Sequence, residues 1–172
     1  MSAGTQRFPS AKALPVAQTV ARLLLNDPEQ CCICGSLRRQ RSEVGDIDIV
    51  VMDGQAFQTS WLLAQVEWRI EKDGPKYKRV IVQKIPVDIY IARDRVQFAM
   101  LKLVRTGSKE HNIHLVMAAK RLGLEFKAGD GLYQGGRRMP LTSETAIFAA
   151  LKVHYVRPER REIIDNSRRA SA

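Results

Sequence analysis

Gly45-Asp46-Ile47-Asp48-Ile49-Val50-Val51-Met52 is the stretch from which the fold and the chemistry of this chain can be read. A short run of Ile and Val, closed by the turn Asp53-Gly54, predicts a strand over Asp46–Met52. Side chains alternate between the faces of a strand. Asp46 and Asp48 therefore share one face, and Ile47 and Ile49 point the other way, into a core. Two carboxylates on one strand edge repel each other unless a cation lies between them. Hard divalent ions such as Mg²⁺ are held by one or two carboxylates together with substrate phosphates. Asp-x-Asp alone is also what a solvated strand start carries.

A third carboxylate adds weight. Pro86-Val87-Asp88-Ile89-Tyr90-Ile91 predicts another apolar strand, over Val87–Ala92, with Asp88 on its non-core face. An unpaired carboxylate there is costly, so it needs a partner, either a metal or a nearby Lys or Arg. If the two strands are neighbours, Asp46, Asp48 and Asp88 form one cluster. Such a set suits in-line phosphoryl transfer with two metal ions roughly 3.5–4 Å apart.

Upstream stands Gly35-Ser36-Leu37-Arg38-Arg39. Gly35 allows a backbone to approach a phosphate closely. Backbone N–H groups and the Ser36 hydroxyl can donate to phosphate oxygens, and Arg39 can reach the same oxygens in bidentate fashion. Each part alone is a turn or a solvated charge. The order strand, Gly-Ser, Arg, then Asp-x-Asp is far more specific.

The rest of the chain supplies the frame. Ala11–Leu25 has apolar residues at helical spacing (Leu14, Ala17, Val20, Ala21, Leu24), ended by Asn26-Asp27-Pro28. Cys31–Cys34 reads as a buried strand of small side chains, since its spacing suits no common zinc motif and no fourth ligand is evident. A helix is predicted over Ala56–Val66, and strands over Glu67–Glu71 and Tyr77–Gln83 around Lys72-Asp73-Gly74-Pro75. Helices follow over Arg95–Arg105 and Ser108–Leu122, separated by Thr106-Gly107, with Ser108 as N-cap. Beyond Gly123 the chain is Gly-rich, with Leu132-Tyr133 as a short strand, Ser143–Lys152 as a short helix, and a charged tail whose end is expected to be mobile. The fold class is α+β: a lobe with a mixed sheet and helices over residues 1–103, and a small helix-led lobe over residues 104–172.

Of the 172 residues, 45% are apolar and 27% charged, which is ordinary globular composition. No apolar run reaches the roughly 18 residues of a membrane span, and the N-terminus has no signal-like apolar region, so a soluble, cytoplasmic protein without a membrane partner is expected. Lys and Arg number 28 against 18 Asp and Glu, a net charge of +10. That excess favours a polyanionic partner.

Gly35-Ser36, followed eleven residues after the glycine by Asp46-x-Asp48, resembles the signature of the polymerase-beta-like nucleotidyltransferase superfamily. Gly-Ser-Leu-Arg-Arg with Gly45-Asp46-Ile47-Asp48 resembles DNA polymerase family X more closely. Val87-Asp88-Ile89-Tyr90 is similar to that family's third-aspartate strand. Arg105-Thr106-Gly107-Ser108 with Asn112 is similar to its nucleotide-binding turn and helix. Thr142 to Phe148, then Tyr155-Val156-x-Pro158-Glu159-x-Arg161, is similar to its C-terminal end. The resemblance runs in order from about residue 15 to residue 162.

It implies a palm and a thumb-like lobe binding nucleotide and DNA, with no room for the lyase and fingers domains of larger members. It implies a DNA-directed DNA polymerase that adds nucleoside triphosphates to a primer 3′-hydroxyl, releasing pyrophosphate, in short-gap repair. The alternatives are a template-independent or ribonucleotide-tolerant nucleotidyltransferase, and a non-catalytic nucleic-acid-binding module. By resemblance Asp46 and Asp48 bind both Mg²⁺ ions, with Mn²⁺ able to substitute. Asp88 binds one and helps deprotonate the 3′-hydroxyl. Ser36 and Arg39 hold the β and γ phosphates. Gly35 and Gly45 let the backbone pass close by. Thr106, Gly107 and Ser108 pack on the sugar, and Asn112 bonds the base edge. Grip on primer-template or gapped duplex falls to basic surface: Lys76, Lys78, Arg79, Lys120, Arg121, Arg137 and Arg138. A monomer is expected, and the small size suits a viral enzyme working in the host cytoplasm.

Two departures stand out. Pro86 takes the place of an arginine that often precedes the third aspartate, leaving its assistance absent or supplied by Lys84. Val104-Arg105 replaces the Tyr-Phe that packs on the sugar and helps exclude the 2′-hydroxyl. Weak sugar discrimination follows: with Mg²⁺, deoxy- and ribonucleotides should be incorporated at similar rates, and a deoxy preference beyond about a thousandfold (~4 kcal/mol) would refute this.

Overall fold

The computed structural model describes residues 6–24, 30–52 and 68–162. In chain order the elements begin with β1 (Phe8–Pro9), α1 (Ser10–Leu24), β2 (Cys31–Ile33), the single turn α2 (Gly35–Arg38), β3 (Glu43–Val44) and β4 (Ile47–Met52). There follow β5 (Trp68–Asp73), β6 (Tyr77–Val82), β7 (Ile85–Ala92), α3 (Arg95–Thr106) and α4 (Lys109–Arg121). β8 (Glu125–Lys127), β9 (Gly131–Gln134), β10 (Arg137–Arg138), α5 (Glu144–Ala150) and a 3₁₀ turn at Pro158–Arg160 complete them.

β4 and β7 lie side by side and parallel at the centre of a five-stranded mixed sheet of order β2-β4-β7-β6-β5. The other pairings in this sheet are antiparallel. Alternation then divides the sheet by face. Ile47, Ile49, Val51, Val87 and Ile89 form one core with Ala13, Val16, Ala17, Val20 and Leu24 of α1. Val50 and Ala92, of opposite parity, pack with Cys34 and with Leu101 of α3. A third core holds Ala99, Met100 and Leu103 of α3, Leu115 and Ala119 of α4, Leu132, and Ile147 and Phe148 of α5. Thus α3 serves both lobes with different faces. β8, β9 and β10 form a small antiparallel sheet in the second lobe. The fold is α+β, as expected.

Several local expectations shift. In α1 the buried stripe is Ala13, Val16, Ala17, Val20 and Leu24, whereas Leu14 is exposed. β7 starts at Ile85, ahead of Val87, because Gln83 and Lys84 both take positive φ (50° and 69°) and make a two-residue hairpin joining Val82 to Ile85. Pro86 is tolerated because pairing with β4 begins only at Val87. Arg137-Arg138 is a strand, paired with Gln134 and Tyr133. Ser108 caps its helix as the sequence predicts, its Oγ accepting from His111 N, whereas Ser143, expected inside its helix, is instead its N-cap, its Oγ accepting from Ala146 N. The helix predicted over Ala56–Val66, the turns at Asn26-Asp27-Pro28 and Asp53-Gly54, and the end of the tail lie outside the described residues. Among the described residues no helix is long and apolar enough to cross a membrane.

Ile89 is 1% exposed in the core between the sheet and α1. Ile89→Ala should cost about 2–5 kcal/mol, read as a lower urea midpoint with unchanged m-value.

Candidate functional site

The parallel register sets Asp48 directly opposite Asp88. Asp46 precedes β4 by one residue and lies on the same side as Asp48 by alternation. Asp88 is buried, and Asp46 and Asp48 are half-buried. Burial, with the charges of Asp46 and Asp88 beside it, pushes the Asp48 carboxyl up to about 7, against the opposing pull of Arg105 and Arg39. Asp46 is raised by burial and by Asp88, opposed by Arg79. Burial first, and mutual repulsion second, raise these carboxyls.

Asp88 already has partners. Arg79 on β6 is its cross-strand neighbour and donates from Nε to Oδ1 at 2.5 Å and from Nη2 to Oδ2 at 2.6 Å. Its Nη2 is 3.9 Å from Asp46 Oδ2. The Tyr77 hydroxyl donates to Asp88 at 2.8 Å, and the Tyr90 hydroxyl at 3.4 Å. Asp88 is therefore paired by an arginine of the adjacent strand and not by Lys84, which sits exposed in the hairpin turn. Among the described residues no three His, Cys, Asp or Glu side chains are gathered as a ready metal cage. The donor chemistry, three hard carboxylates with raised or buried charge, nonetheless suits Mg²⁺, provided Arg79 yields at least one Asp88 oxygen.

The Gly-Ser-Arg loop sits against these carboxylates. Gly35 has φ +59°, and a Cβ there would run into the Asp48 carboxylate, so glycine is required twice over. Arg39 Nη2 lies 3.4 Å from Ser36 Oγ, its Nη1 donates to Thr106 O, and its Nε donates to Glu162 Oε1 at 2.6 Å. A Cβ on Gly107 (φ +70°) would come within 3.1 Å of Arg39 Nη1, so this glycine allows the guanidinium to lie on the turn. Gly45 is half-buried in the bend that leads into β4.

The next arginine holds the lobes together. Arg38 donates to both oxygens of Glu144 and, at 2.6 Å, to Thr106 Oγ1. Arg161 Nη1 meets Glu144 Oε1 at 2.9 Å, its Nε donates to Val156 O, and its guanidinium lies over Phe148. Burial alone would raise the Glu144 carboxyl, but the hydrogen bond from Arg38 and the charges of Arg161 and Arg38 hold it below its usual range. Thr106, Gly107 and Ser108 are all buried in this joint. Thr106 Oγ1 donates to Lys102 O, and Ser108 Oγ donates to Arg161 O. Both hydroxyls are thus engaged within the protein. Asn112 is half-buried, with Nδ2 donating to Val104 O at 2.8 Å and Oδ1 buried without a partner.

At the pair that departs from the family, Val104 packs on the second lobe's core, whereas Arg105 is exposed and lies 4.0 Å over the Tyr90 ring. A cation faces Asp48 from here. The basic set divides. Arg79 belongs to the carboxylate site. Lys78 is buried and bonded to Asp73. Arg138 is held by Asp94 at 2.7 Å and by Asp130 at 3.0 Å. Lys76, Lys120, Arg121 and Arg137 are exposed.

The sequence offers Arg79 as a DNA contact and not as a partner of Asp88, and Arg105 only as a departure at the sugar pocket, while Glu144 and Glu162 were not legible as site residues. A signal existed for Arg79 alone: a two-residue turn at Gln83-Lys84 would have set it opposite Asp88. The others join the site from positions distant in sequence.

The raised Asp48 carboxyl makes a testable statement about stability. Its folded value, about 7, lies above the ordinary 3.8, so folding disfavours the ionised form. That penalty is absent below about pH 4, grows as pH rises to about 7, and is complete above it. Without divalent metal, Asp48→Asn should therefore stabilise the protein by about 2–4 kcal/mol at pH 8 and by little near pH 4, measured by urea unfolding across pH. A gain independent of pH would refute the assignment.

Residues 102–162 match the family model described as the DNA polymerase beta thumb. The match starts within α3, spans the Thr106-Gly107-Ser108 joint, α4, the small sheet and α5, and ends at Glu162. Most of the C-terminal lobe is thus similar to a polymerase beta thumb, which supports reading the chain as family X polymerase-like.

Proposed function

We propose that this protein is a metal-dependent nucleotidyltransferase that extends DNA 3′ ends, a family X DNA polymerase in activity. The observation that carries the proposal is Asp48 facing Asp88 across two parallel strands, beside the Ser36–Arg39 loop, in a chain bearing a polymerase thumb. In this reading Asp46 and Asp48 hold two Mg²⁺ ions and Asp88 holds one of them. When bound, the ions would offset the mutual repulsion of the carboxylates and align the reacting oxygens.

The chain's own residues do the rest. Ser36 and Arg39 bind the β and γ phosphates of a nucleoside triphosphate. Arg79 and Tyr77 orient Asp88, which accepts the proton of the primer 3′-hydroxyl. Arg105, stacked on Tyr90, stands beside the sugar and balances Asp48. Exposed Lys76, Lys120, Arg121 and Arg137 remain the candidates for contacts to the DNA backbone.

One observation favours a second reading, a nucleic-acid-binding module without catalysis: both oxygens of Asp88 are taken by Arg79. Primer extension on gapped DNA, with and without a template strand, separates the readings. Template-directed extension lost in Asp46→Ala/Asp48→Ala, with DNA binding retained, is the expected result. Binding without extension by the unmodified protein, across Mg²⁺ and Mn²⁺, would leave the second reading.

A further inference from the structure

Arg39 carries three donor nitrogens, and each faces a different part of this chain. Nη1 donates to Thr106 O in the joint, and Nη2 faces Ser36 Oγ. Both partners are neutral oxygens that frame the loop. The partner of Nε is different in kind. Glu162 brings a full negative charge from the far end of the thumb, 123 residues away in sequence. Arg41 Nε approaches the same oxygen at 4.0 Å.

The neighbouring arginine shows what a structural ion pair looks like here. Glu144 on Arg38 is 6% exposed and shared with the fully buried Arg161. Removing either partner would strand a buried charge. The Glu162 side chain is 30% exposed, and water can replace Arg39 around it at little cost. A guanidinium donates to carboxylate and phosphate oxygens with the same geometry. A phosphate arriving at Ser36 and Arg39 therefore meets a carboxylate already on the donor it needs.

We propose that Glu162 is a displaceable internal ligand of Arg39, competing with the phosphates of the nucleotide and of pyrophosphate and thereby lowering their affinity. The proposal rests on the phosphate role given to Ser36 and Arg39 above. Glu162 acts through Arg39 and touches no reacting atom, so it is a positioning residue.

Isothermal titration of the full chain with inorganic pyrophosphate in magnesium buffer tests it. Glu162→Gln frees Arg39 and removes a like charge facing the anion, so it should bind pyrophosphate about five- to tenfold more tightly than the parent. Glu162→Asp keeps the charge and should bind as the parent does. In an Arg39→Ala background, Glu162→Gln should lose most of this gain, since only the removal of a like charge remains. A purely structural role predicts the reverse sign, since loosening the joint would weaken binding and lower the melting temperature. Equal or weaker binding by Glu162→Gln, where the parent's binding depends on Arg39, overturns this proposal and leaves the function standing. Absence of pyrophosphate binding from the parent and all variants overturns the phosphate site, and both proposals with it.

Discussion

The carboxylate of Glu144, clasped by Arg38 from the first lobe and Arg161 from the end of the second, ties this molecule into one working unit. A carboxylate this buried is costly unless its oxygens are fully occupied, and two guanidinium groups occupy them. The consequence reaches the site, because Arg38 is followed by Arg39 and preceded by Leu37 and Ser36. Once Arg38 is anchored to α5 and to Thr106, the Gly-Ser loop has one position relative to the thumb. The cost of taking these charges from water is offset only in this one arrangement, so the pair contributes specificity of docking more than net stability.

A second constraint is charge balance without ions. Asp46, Asp48 and Asp88 are drawn together by the backbone register of β4 and β7, which has no means to neutralise them. Arg79, Arg105 and Arg39 do so from three directions, by bidentate contact, by approach over Tyr90 and at longer range. The compensation is incomplete at Asp48, where burial still holds the carboxyl high. Under the proposed function, these buried carboxylates beside the arginine-lined loop would take up cations and phosphates together. The neighbouring arginines differ in how firmly each is held, with buried Glu144 on Arg38 and the more exposed Glu162 on Arg39.

Much of this was visible in the residues. Period-two alternation at Asp46–Met52 and Val87–Ala92 identified the carboxylate face and the core face, because a strand has only two faces to choose between. Ser108 announced its helix because a capping hydroxyl acts locally. Leu14 illustrates the limit: helical spacing admits several apolar stripes on α1, and the sheet's shape selects the one through Ala13, Val16, Ala17 and Val20. Lys78, Arg79 and Arg138 show the same limit for charge. A basic residue in sequence is simply basic; whether it meets DNA or an aspartate depends on which strand lies beside it.

The sequence by itself determined most of the longer described elements, the two-faced strands, the three aspartates and the Gly-Ser-Arg loop, since each follows from spacing within about a dozen residues. The tertiary structure decided which charges meet. Arg79 reaches Asp88 through hairpin register, Arg105 reaches Asp48 through helix packing, and Glu144 and Glu162 reach Arg38 and Arg39 across more than a hundred residues. Ion pairs have no periodicity along a chain. They form only where folding brings two groups within a few ångströms, and burial then sets how firmly each is held.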